Sequence, residues 1–289
     1  MPSHPPQVVR SRASIGALSD QYKKQKLRIG FVPTMGALHN GHLELVRQAR
    51  ACSDVVIVSI FVNPMQFAPG EDFAAYPRDE ASDLEKLRLV GCDAVYLPVA
   101  DEMYPAGSVT DVRVPGLSDL LDGIYRPHFF YGVTTVVARL FLHVRPDVAV
   151  FGEKDFQQLQ IVRRMVMDLG FPVEIVGAPT VRDPDGLAQS SRNAYLSAEE
   201  RRCASALHAA LHRGAIRARQ GAAPADVTAE AKRFLLAAGF TKIDYVDLVD
   251  AVSLVAPPAD RAAWPGALRM LGAGWVGATR LIDNLALAI

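Results

Sequence analysis

Between residues 28 and 177 the apolar positions of this chain alternate between two rhythms. Residues 29–32, 55–62, 94–97, 148–151 and 173–176 are short β-branched runs, apolar at nearly every position. That is the pattern of strands buried on both faces. Between them, residues 43–51, 80–90, 133–144 and 156–169 read as helices. In the last of these Leu159, Val162, Val166 and Leu169 recur at steps of three and four, one face of a helix. Strands alternating with helices predict parallel βαβ units and ligand sites at the carboxyl ends of the strands.

Beyond residue 180 the rhythm changes. Residues 197–238 carry two helical stretches separated by Gln220-Gly221-Ala222-Ala223-Pro224, with Ser197 as an N-cap. Strand-like runs follow at 243–249, 268–271 and 279–282, broken by Pro257-Pro258. The expected fold is α/β. A Rossmann-like parallel sheet with helices on both faces occupies residues 1–180, and a smaller α+β domain occupies 181–289.

Composition narrows the function classes. Lys plus Arg and Asp plus Glu each total 31 in 289 residues, so no basic excess points to nucleic acid or an anionic membrane. The longest apolar runs are far too short to span a bilayer, and no signal-peptide stretch opens the chain. Cys52, Cys92 and Cys203 are odd in number, scattered and form no CxxC pair. They suit a reducing, cytoplasmic compartment.

Four segments carry chemistry. The first strand runs into Pro33-Thr34-Met35-Gly36-Ala37-Leu38-His39-Asn40-Gly41-His42, with a helix beginning near Gly41. Glycines let backbone approach a ligand, and a helix start offers unpaired N–H groups to an anion. His39 and His42 fall on one side of that turn and can donate to phosphate oxygens. They also spell half of a metal site, though no local third ligand accompanies them. The second strand ends at Asn63, with Gln66 three residues on, neutral amides suited to hydroxyl and carboxylate groups or simply to a turn at Pro64. Gly152-Glu153-Lys154-Asp155 opens another helix, with Gln158 one turn along; its charges fit a phosphate or a solvated helix start. Gly186-Leu187-Ala188-Gln189-Ser190-Ser191-Arg192-Asn193 sets two hydroxyls beside a guanidinium, a phosphate-clamping composition that is also common in surface loops.

Together the blocks PTMGALHNGH, SIFVNPMQF, YPR at residues 76–78, FGEKDFQQL, GLAQSSRN and TRLIDN resemble the pantothenate synthetases, in order, from about residue 29 to 284. The HxGH turn also resembles the signature of the wider nucleotidyltransferase superfamily. The resemblance implies an ATP-dependent ligase of the coenzyme A pathway. Pantoate would attack ATP to give pantoyl adenylate and pyrophosphate, and β-alanine would then displace AMP. It implies an ATP site of Met35, Gly36, Ala37, Leu38, His39, Asn40, Gly41, His42, Gly152, Glu153, Lys154, Asp155, Val181, Gln189, Ser190, Ser191 and Arg192. His42, His39, Lys154 and Arg192 would act on the reacting phosphates. Gln66 and Gln158 would hold pantoate, Asn63 and Arg126 would join the pantoate and β-alanine site, and Asp83 would contact Mg2+. It also implies a homodimer.

Two positions depart from the family pattern. Arg126-Pro127-His128-Phe129 stands where the family reads Arg-Pro-Gly-His, and Gln189 replaces an apolar residue before the paired serines. Competing readings are a nucleotidyltransferase acting on a phosphate-bearing acceptor, and a catalytically silent nucleotide binder. Gly272-Ala273-Gly274-Trp275-Val276-Gly277 spells GxGxxG, but too little chain follows for a dinucleotide fold. It is expected to form a tight turn between C-terminal strands.

Overall fold

The computed structural model describes residues 4–68, 70–71, 73–264 and 266–288. By their contacts the residues form two compact units.

The first unit comprises Met1–Asp119, Arg126–Glu153 and Gln158–Pro179. Its strands are β1 (Gln7–Val9), β2 (Ile29–Thr34), β3 (Val55–Ile60), β4 (Ala94–Tyr96), β5 (Val148–Gly152) and β6 (Glu174–Ala178). They form a six-stranded sheet in the order β1-β4-β3-β2-β5-β6, and all five pairings between neighbours are parallel. The helices are α1 (Arg12–Lys24), α2 (Asn40–Cys52), α3 (Glu80–Leu89), α4 (Ala100–Met103), α6 (Phe129–Val144) and, from Gln158 onward, α7 (Phe156–Leu169). Short α5 (Asp122–Tyr125) lies between α4 and α6 in the chain. Both faces of the sheet are covered. Val32, Val56, Val58, Val148 and Val150 share a buried cluster with Leu43, Val46 and Ala49 of α2. The alternate residues Phe31 and Phe151 turn the other way and pack edge-on against Phe141 of α6. Strands buried on both sides have no polar face, hence the near-continuous apolar runs.

The second unit comprises Leu120–Tyr125, Lys154–Gln157 and Thr180–Ile289. Helices α8 (Ala198–Ala204), α9 (Ala206–Arg219) and α10 (Pro224–Ala237) accompany an antiparallel sheet, β7-β8-β9 (Lys242–Asp250, Ala267–Val276, Thr279–Ala288). Leu207, Leu211, Val227, Leu235, Val246 and Met270 lie at its core. Ser197 caps α8 in a reciprocal box with Glu200. Among the described residues no helix is long and apolar enough to cross a membrane.

Three sequence expectations change. Strand β1 and helix α1 lie where the pattern gave no element. The strand is three residues long, and α1 buries only Ile15, Leu18 and Ser19. The helical region 197–238 holds three helices, because the chain breaks again at Ser205. The GxGxxG run is mostly strand: Gly272 and Gly274 lie inside β8, and only Gly277 with Ala278 makes the turn. A Cβ on Gly272 would stand 3.1 Å from Leu207 and 3.2 Å from Leu211. That glycine is there to let α9 lie close on the sheet.

Candidate active site

From β2 the chain winds outward through β3 and β4, then returns to set β5 on the other flank of β2. The winding therefore reverses between β2 and β5, where α/β sheets open a crevice at the carboxyl ends of their strands. The loop after β2 carries Met35, Gly36, Ala37, Leu38 and His39, and β5 ends at Gly152. The fold thus brings two of the four segments to one switch point.

His39 is the N-cap of α2 and His42 its third residue, and the two cap each other. His39 Nδ1 accepts from Gly41 N–H at 3.1 Å, and His42 Nδ1 accepts from His39 N–H at 3.4 Å. Their ring centroids lie 4.1 Å apart. An imidazole nitrogen that accepts a hydrogen bond is unprotonated in the neutral ring, so both rings carry their proton on Nε2. Helix α2 begins at Asn40, with Asn40 and Gly41 in its first turn.

The preceding loop is held in an unusual shape. Gly36 and Ala37 both have positive φ, +82° and +51°. For alanine this left-handed conformation is strained and needs outside support. Asp83 of α3 supplies it: its Oδ2 accepts from Ala37 N–H at 2.9 Å and its Oδ1 from Leu38 N–H at 2.8 Å. Lys86 then donates to Leu38 O at 2.9 Å. Burial pushes the Asp83 carboxyl upward against the pull of these amides and of Lys86, and the net shift is upward. Asp83 was expected to contact magnesium. Each of its oxygens accepts one amide of the loop, and no group of three or more His, Cys, Asp or Glu side chains among the described residues could hold a metal ion.

The amides after β3 form a chain of bonds. Tyr104 Oη donates to Asn63 Oδ1 at 2.7 Å; Asn63 Nδ2 donates to Gln66 Oε1 at 2.9 Å and to Gly132 O at 3.0 Å. Asn63 is fully buried and Gln66 nearly so. The close packing of Gly132 is obligatory, since a Cβ there would stand 2.4 Å from Met65 O. Arg126 pairs with Glu71 through Nε at 3.0 Å and Nη2 at 2.8 Å, and donates to Gln66 O at 3.1 Å. Burial raises the Glu71 carboxyl, but the Arg126 bonds and charge outweigh it and hold it below its usual range. Gln158 is half-buried on the first turn of α7.

The second unit holds the other expected nucleotide residues. Lys154 and Asp155 lie in a turn of 3-10 helix; Asn284 donates to Lys154 O at 2.8 Å. Residues 181–189 form a small hairpin, in which Gln189 N–H bonds to Val181 O at 3.0 Å and Arg182 bridges Ala188. Arg182 grips Asp283 with both guanidinium nitrogens, at 2.6 and 2.9 Å, and Arg201 pairs with Asp183. Ser190 then caps a 3-10 helix, accepting from Arg192 N–H, and Ser191 and Arg192 form its first two residues.

A family model described as pantoate-beta-alanine ligase matches residues 7–286. The chain belongs to the pantoate–β-alanine ligase family. The pantothenate synthetase of Hyphomonas neptunium is 60% identical over 284 residues, covering 98% of this chain and 97% of its own. A pantothenate synthetase structure from Thermus thermophilus matches with a TM-score of 0.89 at 47% identity, over 96% of this chain and 98% of that one. A pantoate-β-alanine ligase from Francisella tularensis, complexed with β-γ ATP and β-alanine, matches with a TM-score of 0.80 at 31% identity, over 97% of each chain.

Both departures from the ligase pattern make local contacts, although His128 Nε2 and Gln189 Oε1 are buried without a hydrogen-bond partner among the described residues. The Phe129 ring takes the Arg126 guanidinium at 4.0 Å and packs edge-on against Phe130 at 5.1 Å. Arginine over an aromatic face is a favourable pairing. Gln189 donates from Nε2 to Asp183 Oδ1 at 3.0 Å, so its polar end ties down the hairpin that bears it. Sequence reasoning missed Tyr104 and Glu71. Each carries no motif of its own and acts only through a partner 41 or 55 positions away.

Proposed function

We infer that the chain condenses pantoate with β-alanine at the expense of ATP, through a pantoyl adenylate, releasing pyrophosphate and AMP. The observation that carries the mechanism is the mutual capping of His39 and His42, which fixes two Nε2–H donors at the start of α2. A carboxylate is already ionised at neutral pH, so its attack on the α-phosphorus needs no general base. What the step needs is alignment and stabilisation of the phosphate charge. His42 and His39 donate to the phosphates, with Lys154 and Arg192 as the cations. Met35 through Gly41, Gly152, Glu153, Asp155, Val181, Gln189, Ser190 and Ser191 complete the nucleotide site. Gln66 and Gln158 hold pantoate. Arg126, already paired with Glu71, shapes that pocket, and Asn63 orients Gln66. In the second step the β-alanine amine attacks the acyl carbon and AMP leaves.

Asp83 accepts one amide on each oxygen, and each oxygen keeps a second lone pair, so Asp83 remains the candidate for a magnesium contact beside its bracing of the loop. A magnesium ion accompanying ATP would offset phosphate charge. We place the enzyme in the cytoplasm, where free thiols such as Cys92 stay reduced. We expect a homodimer by family resemblance; light scattering at twice the mass of one chain would bear that out.

Pantoate-dependent exchange of labelled pyrophosphate into ATP tests nucleotide, acid and chemistry together. The wild type should exchange, and His42→Ala should lose activity by a factor on the order of hundreds. Because His42 also caps α2, that variant should lose about 1 kcal/mol of stability. Exchange that is absent from the wild type, or undiminished in His42→Ala, counts against this reading.

A further inference from the structure

Asn63 has no capacity left for a substrate. A side-chain amide offers two acceptor sites and two N–H groups. In Asn63 the oxygen accepts from Tyr104 Oη at 2.7 Å and from Met65 N–H at 3.3 Å, while Nδ2 donates to Gln66 Oε1 and Gly132 O. With the side chain wholly buried, any contact with a ligand would sacrifice one of these four bonds.

The same bonds set the direction of Gln66. Its Oε1 faces the Asn63 amide nitrogen, so the end it turns to a ligand is its Nε2. Neutral donors suit an oxygen-rich ligand such as a hydroxy acid, and a reversed amide would meet a carboxylate with its own oxygen. Asn63 could impose that reversal only by turning over itself. The turn would set its nitrogen against Met65 N–H and its oxygen against Gly132 O. Tyr104 closes the shortest of the four bonds. Its hydroxyl is pushed up to about 12 by burial, with Arg139 and the Asn63 bond pulling the other way. It therefore stays a donor at working pH. The ring is held independently, by Arg139 at 4.8 Å and by Phe61 at 6.3 Å.

We propose that Tyr104 is a positioning residue for the acid substrate: through Asn63 it fixes the Gln66 amide so that Gln66 presents a donor. This rests on the assignment of Gln66 to pantoate made above. Tyr104→Phe removes one oxygen and keeps both ring contacts, so the fold should survive; thermal melting checks this.

The Tyr104→Phe variant should raise the KM for pantoate about fivefold, the effect of a single lost hydrogen bond. Its kcat and its KM for ATP should stay within about twofold. A double-mutant cycle with Gln66→Ala separates positioning from general packing, because Tyr104→Phe should add nothing once Gln66 is gone. Calorimetric titration of pantoate serves for that cycle if the exchange rate is too low. An unchanged pantoate KM in Tyr104→Phe overturns the proposal. So does an equal rise in the ATP KM, or an undiminished effect in the Gln66→Ala background. A wild type without pantoate-dependent exchange overturns the functional reading and this inference together. Normal wild-type exchange beside an unaffected Tyr104→Phe overturns this inference alone.

Discussion

Asp83 serves two backbone amides with one carboxylate, so its loss is felt twice. In Asp83→Ala the N–H groups of Ala37 and Leu38 lose their acceptor, at a cost of about 1–3 kcal/mol for each group that stays buried and unpaired. The left-handed Ala37 also loses what holds it in place. We expect a lower melting temperature and a KM for ATP raised about tenfold, on the order of 1.4 kcal/mol. Asp83→Asn, which keeps one acceptor oxygen, should fall between. Raising magnesium distinguishes a brace from a metal ligand: the brace predicts no recovery of the ATP KM at high magnesium. Recovery would favour the metal role.

At the level of elements, the 181–189 hairpin that leads into Ser190, Ser191 and Arg192 is fastened mainly by the Arg182–Asp283 pair. Burial alone would raise the Asp283 carboxyl. His208 and the Arg182 guanidinium outweigh it and hold the group below its usual range, although His208 Nδ1 stands 3.7 Å away, beyond hydrogen-bond reach. A depressed carboxyl contributes stability above the ordinary carboxylate range and loses it as pH falls through the folded value. Arg182→Met leaves that buried charge unpaired and should cost about 3–5 kcal/mol. Its acid-unfolding midpoint should move to higher pH, which circular dichroism against pH would register; an unmoved midpoint would count against the pairing. Elements built on periodicity were legible in the sequence: Phe156–Leu169 was read with its observed ends, and Ser197 as the cap it is. Elements resting on one to three buried residues, such as β1 and α1, were not. Gly272 of β8 misled because its reason is a helix some 60 residues earlier, and spelling does not record it. Likewise the HxGH turn was visible as a motif. The supports from Asp83 and Tyr104 were hidden, because tertiary contacts leave no local pattern.

Across the whole molecule, acid should act on the first unit earlier than the Asp283 pairing alone would suggest. His143 is buried and bonded through Nδ1 to Tyr96 Oη at 3.0 Å. Burial lowers it to about 4, with Arg12 and Arg139 adding to the effect and Glu102 opposing it. In the unfolded chain a histidine titrates near 6.5. Between these values the unfolded state binds the extra proton, so stability is full above pH 6.5 and falls as pH drops toward 4, by roughly 3 kcal/mol. Urea unfolding at pH 7 and pH 4.5 should show that loss in the wild type and a much smaller one in His143→Gln. Equal losses in both would remove His143 from the account. The interleaving of the two units has a further consequence, for a chain being made on the ribosome. Asp122 bonds to Arg280 at 2.5 Å, 158 residues downstream, and Phe156 lies 3.7 Å beneath the guanidinium of Arg269. At about 5–20 residues per second, Asp122 waits roughly ten to thirty seconds for its partner to be synthesised. Every strand of the parallel sheet has left the peptidyl-transferase centre long before then. The nascent sheet must therefore carry two unfinished loops of the other unit, and those loops are where a chaperone would find exposed chain.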